Sequence, residues 1–339
     1  MLNKAYINLN ILKQNVKNIK AKLNKGVKFC AVVKADGYGH GAEVIANAIY
    51  SECDYFAVAI VEEGVRLRQS GIDKDILVLT TPLESDLKDA VFYNLTLSID
   101  SHLILNKIEQ ECKKQAKLIK IHIKYNTGMN RLGVDNLQEL DVIAKRIKAS
   151  KHLILDGLFS HLGDAQNKKS IKIIQNKFLL ANNLIKGYNN NAICHLSASG
   201  GFLSKIPSDM VRIGILMYGY KPFASDYVNV KPIMKVYAPI IRVRNLKKVD
   251  TCIYGKTCLA QDKMISLVRF GYADGLPRQR IKGQFNNRCM DISAHENLKA
   301  TKKGVLIMGN ADKIAKKYNT ISYEVLTKCA IRCQKIYIH

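Results

Sequence analysis

Eight short apolar runs recur along the first two thirds of the chain, at 29–34, 55–60, 76–81, 95–99, 119–124, 154–160, 192–196 and 210–214, each the length of a β-strand. Segments of helical spacing lie between most of them. One runs from Gly41 to Tyr50, and another from Asp135 to Ser150, with apolar Leu137, Leu140, Val142, Ile143 and Ile147 near helical spacing. Strands alternating with helices build parallel βα units, and eight such units predict a TIM (β/α)8 barrel. After about Pro222 the helical period largely disappears, and short strands separated by turns follow at Ile233–Leu246, Met264–Phe270, Gly304–Met308 and Ile331–Tyr337. The expected architecture is therefore α/β: a barrel over residues 8–223 and a mostly-β domain over 224–339, which residues 1–7 are candidates to join as a strand.

A barrel of this kind carries its chemistry at the C-terminal ends of its strands. Here those ends read Lys34, Thr80-Thr81, Lys124, His161, His195 with Ser197 and Ser199, and Arg212. A barrel kept only for structure would not need so many cations and imidazoles on one rim. Lys34 stands out, because it ends the apolar run Phe29-Cys30-Ala31-Val32-Val33 and opens the glycine-rich stretch Ala35-Asp36-Gly37-Tyr38-Gly39-His40-Gly41. An amine desolvated at its stem and held at a strand end is placed to form a Schiff base with a carbonyl cofactor. The same residues also fit a solvated lysine before a tight turn.

Charge and cysteine content narrow the function classes. The chain has 53 Lys and Arg against 28 Asp and Glu, a formal charge of +25. Nucleic-acid readers cluster such charge with aromatic side chains; here the cations are spread over helix faces, a general lysine bias that would still attract anionic small molecules. The nine cysteines are scattered with no Cys-x-x-Cys pair, so reduced thiols are expected rather than disulfides or a zinc site. No membrane-spanning stretch and no signal-peptide pattern is evident at the start, which reads as cytoplasmic.

Further motifs follow in order. They are Lys124-Tyr125-Asn126-Thr127-Gly128-Met129-Asn130-Arg131-Leu132-Gly133; Phe159-Ser160-His161; His195-Leu196-Ser197-Ala198-Ser199; Met210-Val211-Arg212-Ile213-Gly214-Ile215; Gly271-Tyr272-Ala273-Asp274-Gly275; Arg288-Cys289-Met290-Asp291; and Ile321-Ser322-Tyr323-Glu324. Together with the Lys34 segment they resemble, in register from residue 5 to residue 338, the bacterial alanine racemases, which are pyridoxal 5'-phosphate (PLP) enzymes of fold-type III. The resemblance implies an isomerase that interconverts L- and D-alanine for peptidoglycan, acting as a homodimer with shared active sites. It implies PLP on Lys34 and proton transfer by two bases, Lys34 and the Tyr272 of the other subunit. Lys124 would be carbamylated and would steer Arg131 toward cofactor and substrate. His161 would contact the catalytic tyrosine, and His195 would orient Arg212 against the pyridine nitrogen. The phosphate would be bound by Tyr38, Ser199, Gly214, Ile215 and Tyr323, and the substrate would be bordered by Arg131, Met290 and Asp291.

Arg212 would matter through its charge: a guanidinium stays protonated and gives the ring no proton, which weakens the electron sink and disfavours side reactions. Three departures from the family pattern stand out: Asn126 where Asp is usual, Ala198 where Asn is usual, and a shortened stretch from Arg278 to Cys289. Rival readings are a racemase of another small amino acid such as serine, a fold-type III decarboxylase of basic amino acids, and a noncatalytic PLP-binding protein. The second domain with Tyr272 speaks against the last.

Overall fold

In the computed structural model, residues 2–248, 250–253, 261–278, 287–296, 298, 301 and 303–339 are described. The described chain divides into two units: residues 14–37 with 42–230, and residues 1–13 with 38–41 and 231–339.

The first unit is the barrel. After β1 (Lys4–Asn8), which belongs to the other unit, come β2 (Lys28–Val32), β3 (Tyr55–Val58), β4 (Asp75–Val78), β5 (Thr96–Ile99), β6 (Ile119–Lys124), β7 (Leu153–Phe159), β8 (Ile193–His195) and β9 (Met210–Ile213). They form one parallel sheet in the order β8-β7-β6-β5-β4-β3-β2-β9, and a bridge between Ala198 and Arg212 nearly closes it. The strands coincide with the eight apolar runs because both faces of a parallel sheet are buried, one inside the barrel and one under helices. The helix Leu137–Ala149 shows the outer layer: Leu140, Ile143, Ala144 and Ile147 are buried, and Asn136 caps its start by accepting from Glu139 N–H at 2.8 Å.

The second unit is built from two four-stranded sheets. In one, β1 lies between β10 (Met234–Ala238), antiparallel to it, and the parallel β16 (Gln334–Ile338), with β15 (Val305–Met308) outside β10. The other has the order β11 (Ile240–Leu246), β12 (Lys263–Val268), β14 (Ser293–Glu296), β13 (Asn287–Arg288). Two helices, Ala311–Lys317 and Ser322–Cys329, interrupt the β pattern where the sequence suggested no helical period. Both are too short for a helical period to show, and the first is also lysine-rich; it is fixed by its Asn310 cap, which accepts from Asp312 and Lys313 N–H. Of the shortened stretch 278–289, residues 279–286 lie outside the described residues.

Candidate active site

The stretch following Lys34 is a single left-handed turn rather than an open loop. Ala35, Asp36, Gly37, Tyr38 and Gly39 have φ of 52, 53, 59, 54 and 81°. For each of the three non-glycine residues that conformation costs roughly 1–2 kcal/mol, so the surroundings must impose it. Glu63 does much of this: one carboxylate oxygen accepts from Ala35 N–H at 2.6 Å, and the other from Ala59 N–H at 2.7 Å. Asp36 accepts from Ala42 N–H at 3.0 Å, and Gly37 N–H reaches back to Val33 O at 2.8 Å. The effect is to fix the direction in which Lys34 leaves the end of β2. Its amine pKa is lowered by burial, then by the charge of Arg131 and of Arg212, with Glu63 opposing.

Lys124, at the end of β6, is buried and donates to Leu79 O at 3.2 Å. Burial, then Arg131 and Arg212, bring its pKa down to about 8, so roughly a tenth of it is free amine at pH 7, far more than for an ordinary lysine. Arg131 is exposed on the following loop. That loop is stapled by Asn126, whose amide donates to Asp135 at 2.7 Å and to Asn130 at 3.0 Å while its oxygen accepts from Gly128 and Asn130 N–H at 3.0 Å. An aspartate at 126 would face Asp135 with like charge, so the local network suits the amide.

Arg212 is the most constrained side chain of the rim. Fully buried, it donates from Nη1 to His195 Nδ1 at 2.6 Å and to His195 O at 2.8 Å, and from Nη2 to Ser160 O at 2.7 Å and, at the limit of length, Leu196 O at 3.5 Å. Burial lowers its pKa only to about 10, so it stays charged. Its Nε–H has no acceptor among the described residues. Phe159 stacks on His195 and lies under the guanidinium, with centroid distances of 5.2 and 5.3 Å. Ser199 Oγ accepts from Gly214 N–H at 3.2 Å, and Ile215 is buried beside it in sequence. His161 is held neutral: burial, then Arg212, Arg131, Lys34 and Lys124, bring its pKa from an ordinary 6.5 to about 3. The barrel rim thus gathers Lys34, Lys124, Arg131, His161, His195, Ser199 and Arg212 in one unit.

Tyr38, Tyr272, Met290, Asp291 and Tyr323 belong to the other unit. There Tyr272 sits on a tight turn, 39% exposed, with its N–H bonded to Cys289 O at 3.1 Å and the next residue's N–H bonded to Met290 O at 2.9 Å, so these two motifs lie side by side. Asp274 is buried beneath the turn and accepts from Gly271 N–H at 2.9 Å, while Arg332 pairs with Asp291 at 2.7 Å. The rings of Tyr38 and Tyr323 meet at 5.9 Å. Gly39 is a glycine by necessity, because a Cβ there would lie 2.6 Å from Leu326 O.

Some polar residues of the barrel escaped the sequence reading. His122 and Asp156 lie behind His195 inside the barrel, and Glu63 grips the Lys34 turn. The strand Ile-Lys-Ile-His-Ile-Lys carries the signal for the first of these, since Lys120, His122 and Lys124 share one face of it.

Family models for the alanine racemase N-terminal domain and C-terminal domain match residues 7–222 and 233–337. The chain belongs to the alanine racemase family. An alanine racemase of Streptococcus pyogenes serotype M6 is 32% identical, covering 98% of this chain and 97% of its own length. One from Treponema denticola is 33% identical over 81% of this chain and 76% of its own. The solved alanine racemase of Clostridium difficile 630 superposes with a TM-score of 0.91 at 30% identity, covering 100% of this chain and 96% of that one. The decarboxylase and binding-protein readings fall away, and the activity is alanine racemisation. No helix among the described residues is long and apolar enough to cross a membrane.

Racemase stability should depend on pH through its buried imidazoles. His161 is held near 3, His295 is brought to about 4 by burial and then by Arg288 and Lys317, and His195 lies well below its ordinary value by burial and then Arg212. Below pH 6.5 the unfolded chain binds protons these folded imidazoles refuse, so their contribution is complete above 6.5 and is lost as pH falls toward 3. Each full proton corresponds to about 1.4 kcal/mol per pH unit. The urea midpoint is expected to drop between pH 7 and pH 5, and to drop less in His295→Gln.

Proposed function

We propose that this alanine racemase works with PLP carried on Lys34, using Lys34 and the Tyr272 of the partner subunit as its two bases in a homodimer in the cytoplasm, making D-alanine for peptidoglycan. The observation that carries the reading is the convergence, at one barrel mouth, of an amine with a lowered pKa and a permanently charged guanidinium with one N–H left to give. The donor set suits PLP: an amine for its carbonyl carbon, Arg212 Nε–H for its ring nitrogen, and the Ser199 hydroxyl with the amides of Gly214 and Ile215 for its phosphate, joined by Tyr38 and Tyr323. When bound, PLP acts as an electron sink that acidifies the amino acid Cα–H.

The chain's own residues do the rest. Lys34 takes or gives the proton on one face and Tyr272 on the other, the simplest way to invert a centre. A tyrosine hydroxyl titrates ordinarily near 10, so Tyr272 needs neighbours that favour its phenolate; His161, as a neutral hydrogen-bond donor, and the charged Arg212 are the proposed ones. Arg131, Met290 and Asp291 position the substrate. His195 holds Arg212 charged and oriented, so the ring nitrogen receives a hydrogen bond and no proton. Lys124 reacts as its free amine with carbon dioxide, and the carbamate steers Arg131; labelled bicarbonate should give a carbamate carbon signal that Lys124→Arg lacks.

Incubating the protein with L-alanine in deuterated water tests the whole reading. Optical rotation should decay to zero while deuterium enters Cα in both enantiomers. Exchange with retained rotation would remove the second base. Parallel runs with L-serine measure selectivity, since a small pocket separates a single hydroxyl poorly.

A further inference from the structure

Arg212 is a buried cation, yet no carboxylate among the described residues touches it. Its nearest acceptor beyond backbone is an imidazole, and behind that imidazole runs a line of polar groups through the barrel interior. His195 Nε2 lies 2.8 Å from His122 Nδ1, His122 Nε2 lies 2.9 Å from Asp156 Oδ2, and Tyr55 donates to the same oxygen at 2.7 Å. Tyr55 begins β3, so the line runs from the catalytic mouth toward the opposite end of the barrel.

The proton positions follow from the two ends. A guanidinium can only donate, so His195 Nδ1 must be bare and its proton must sit on Nε2. That proton is given to His122 Nδ1, which places the His122 proton on Nε2, facing Asp156. Burial raises the Asp156 carboxyl, but the bonds from His122 and Tyr55, with Lys120 nearby, outweigh it and hold it at about 2, so it is an acceptor. Every hydrogen bond in the line then points from the arginine to the carboxylate.

Two features of the backbone are built around this line. Pairing between β6 and β7 slips at His122: Ile121 faces Leu155, but His122 faces Gly157, leaving Asp156 as the extra residue of a bulge. Bulges re-aim side chains, and this one sets the carboxylate beside the imidazole. Opposite His122, a Cβ on Gly157 would lie 2.5 Å from the ring carbon Cε1 and 2.6 Å from Nδ1, so the glycine clears the space the ring occupies.

We propose that Asp156 and His122 are positioning residues for the racemase reaction: they set the tautomer of His195 and serve as the remote counter-ion that keeps Arg212 in one orientation. This rests on the reading above that Arg212 faces the cofactor ring nitrogen. A buried polar chain that is fully satisfied specifies one arrangement, and a break anywhere in it frees the imidazoles to turn.

The test combines spectroscopy with kinetics. Histidine-15N spectra of the purified enzyme, assigned through His122→Gln and His195→Gln, should show both rings protonated on Nε2 alone. An Nδ1-protonated ring at either position overturns the relay directly. Asp156→Asn preserves shape but removes the charge; it should alter the His195 signals and lower kcat about tenfold with KM for alanine little changed, a size typical of partners that orient a functional imidazole. Asp156→Glu, which restores the carboxylate in a worse shape, should recover most of that loss. If instead Asn is tolerated and Glu is harmful, the site matters only for packing and the proposal falls. Should Asp156→Asn fold poorly, His122→Gln, already made for the assignment, supplies the His195 signals and the kinetics by cutting the link between His195 and Asp156. Arg212→Lys, run alongside, tests the underlying reading: unchanged turnover there would remove the ring-nitrogen role, and the relay's part in catalysis with it, whatever the imidazole signals show.

Discussion

Lys34→Ala is expected to abolish racemisation, by roughly 10⁴-fold or more, the upper end of what one positioned acid or base contributes, while leaving the fold intact. The fold should survive because the constraints on the turn after it do not involve the amine: Glu63 holds Ala35 and Ala59 N–H, Asp36 holds Ala42 N–H, and Gly37 bonds back to Val33. Removing a half-buried cation beside Arg131 and Arg212 also relieves repulsion, so the melting temperature should hold or rise slightly. Borohydride reduction followed by peptide mapping should find PLP fixed to Lys34 in the natural protein and to no lysine in the variant. A cofactor mapped to Lys124, the other rim lysine with a lowered pKa, would overturn the assignment.

What the sequence disclosed and what it hid follow from the same physics. Strands buried on both faces read as apolar runs, so the barrel, its order and the polar residues at its strand ends were legible. The turn at 35–39 was not. Alanine, aspartate and tyrosine do not choose the left-handed region by themselves, and only the distant Glu63 and the local geometry impose it. The inner line of His122 and Asp156 was hidden for a different reason. The alternation in β6 marks His122 alone; Asp156 sits inside an apolar strand, where a lone aspartate gives no local signal, and the bulge that brings the two together depends on pairing between strands. In the second unit, the turn of Tyr272 was legible through its glycines, while the helix that carries Tyr323 spans eight residues, too short for its period to show.

The second large effect concerns how sites are shared. Tyr272→Phe should cost about 10²–10⁴-fold as the loss of one general acid or base, and by itself it cannot say whose barrel the tyrosine serves. Mixing does. If protomers of Lys34→Ala and Tyr272→Phe are reshuffled at equal amounts, random assortment in a two-fold dimer makes about half of the dimers mixed. Under the shared-site reading each mixed dimer has one site with both lesions and one with neither, so activity should recover to about a quarter of the natural enzyme. If Lys34 and Tyr272 act within one chain, every site in a mixed dimer retains one lesion and nothing is regained. The assay therefore needs heterodimers shown to be present, for example by native mass spectrometry, before activity is read. Recovery no greater than the sum of the two variants would reject the partner-subunit base and return Tyr272 to an ordinary exposed turn residue, held at its backbone by Cys289 and without part in the chemistry.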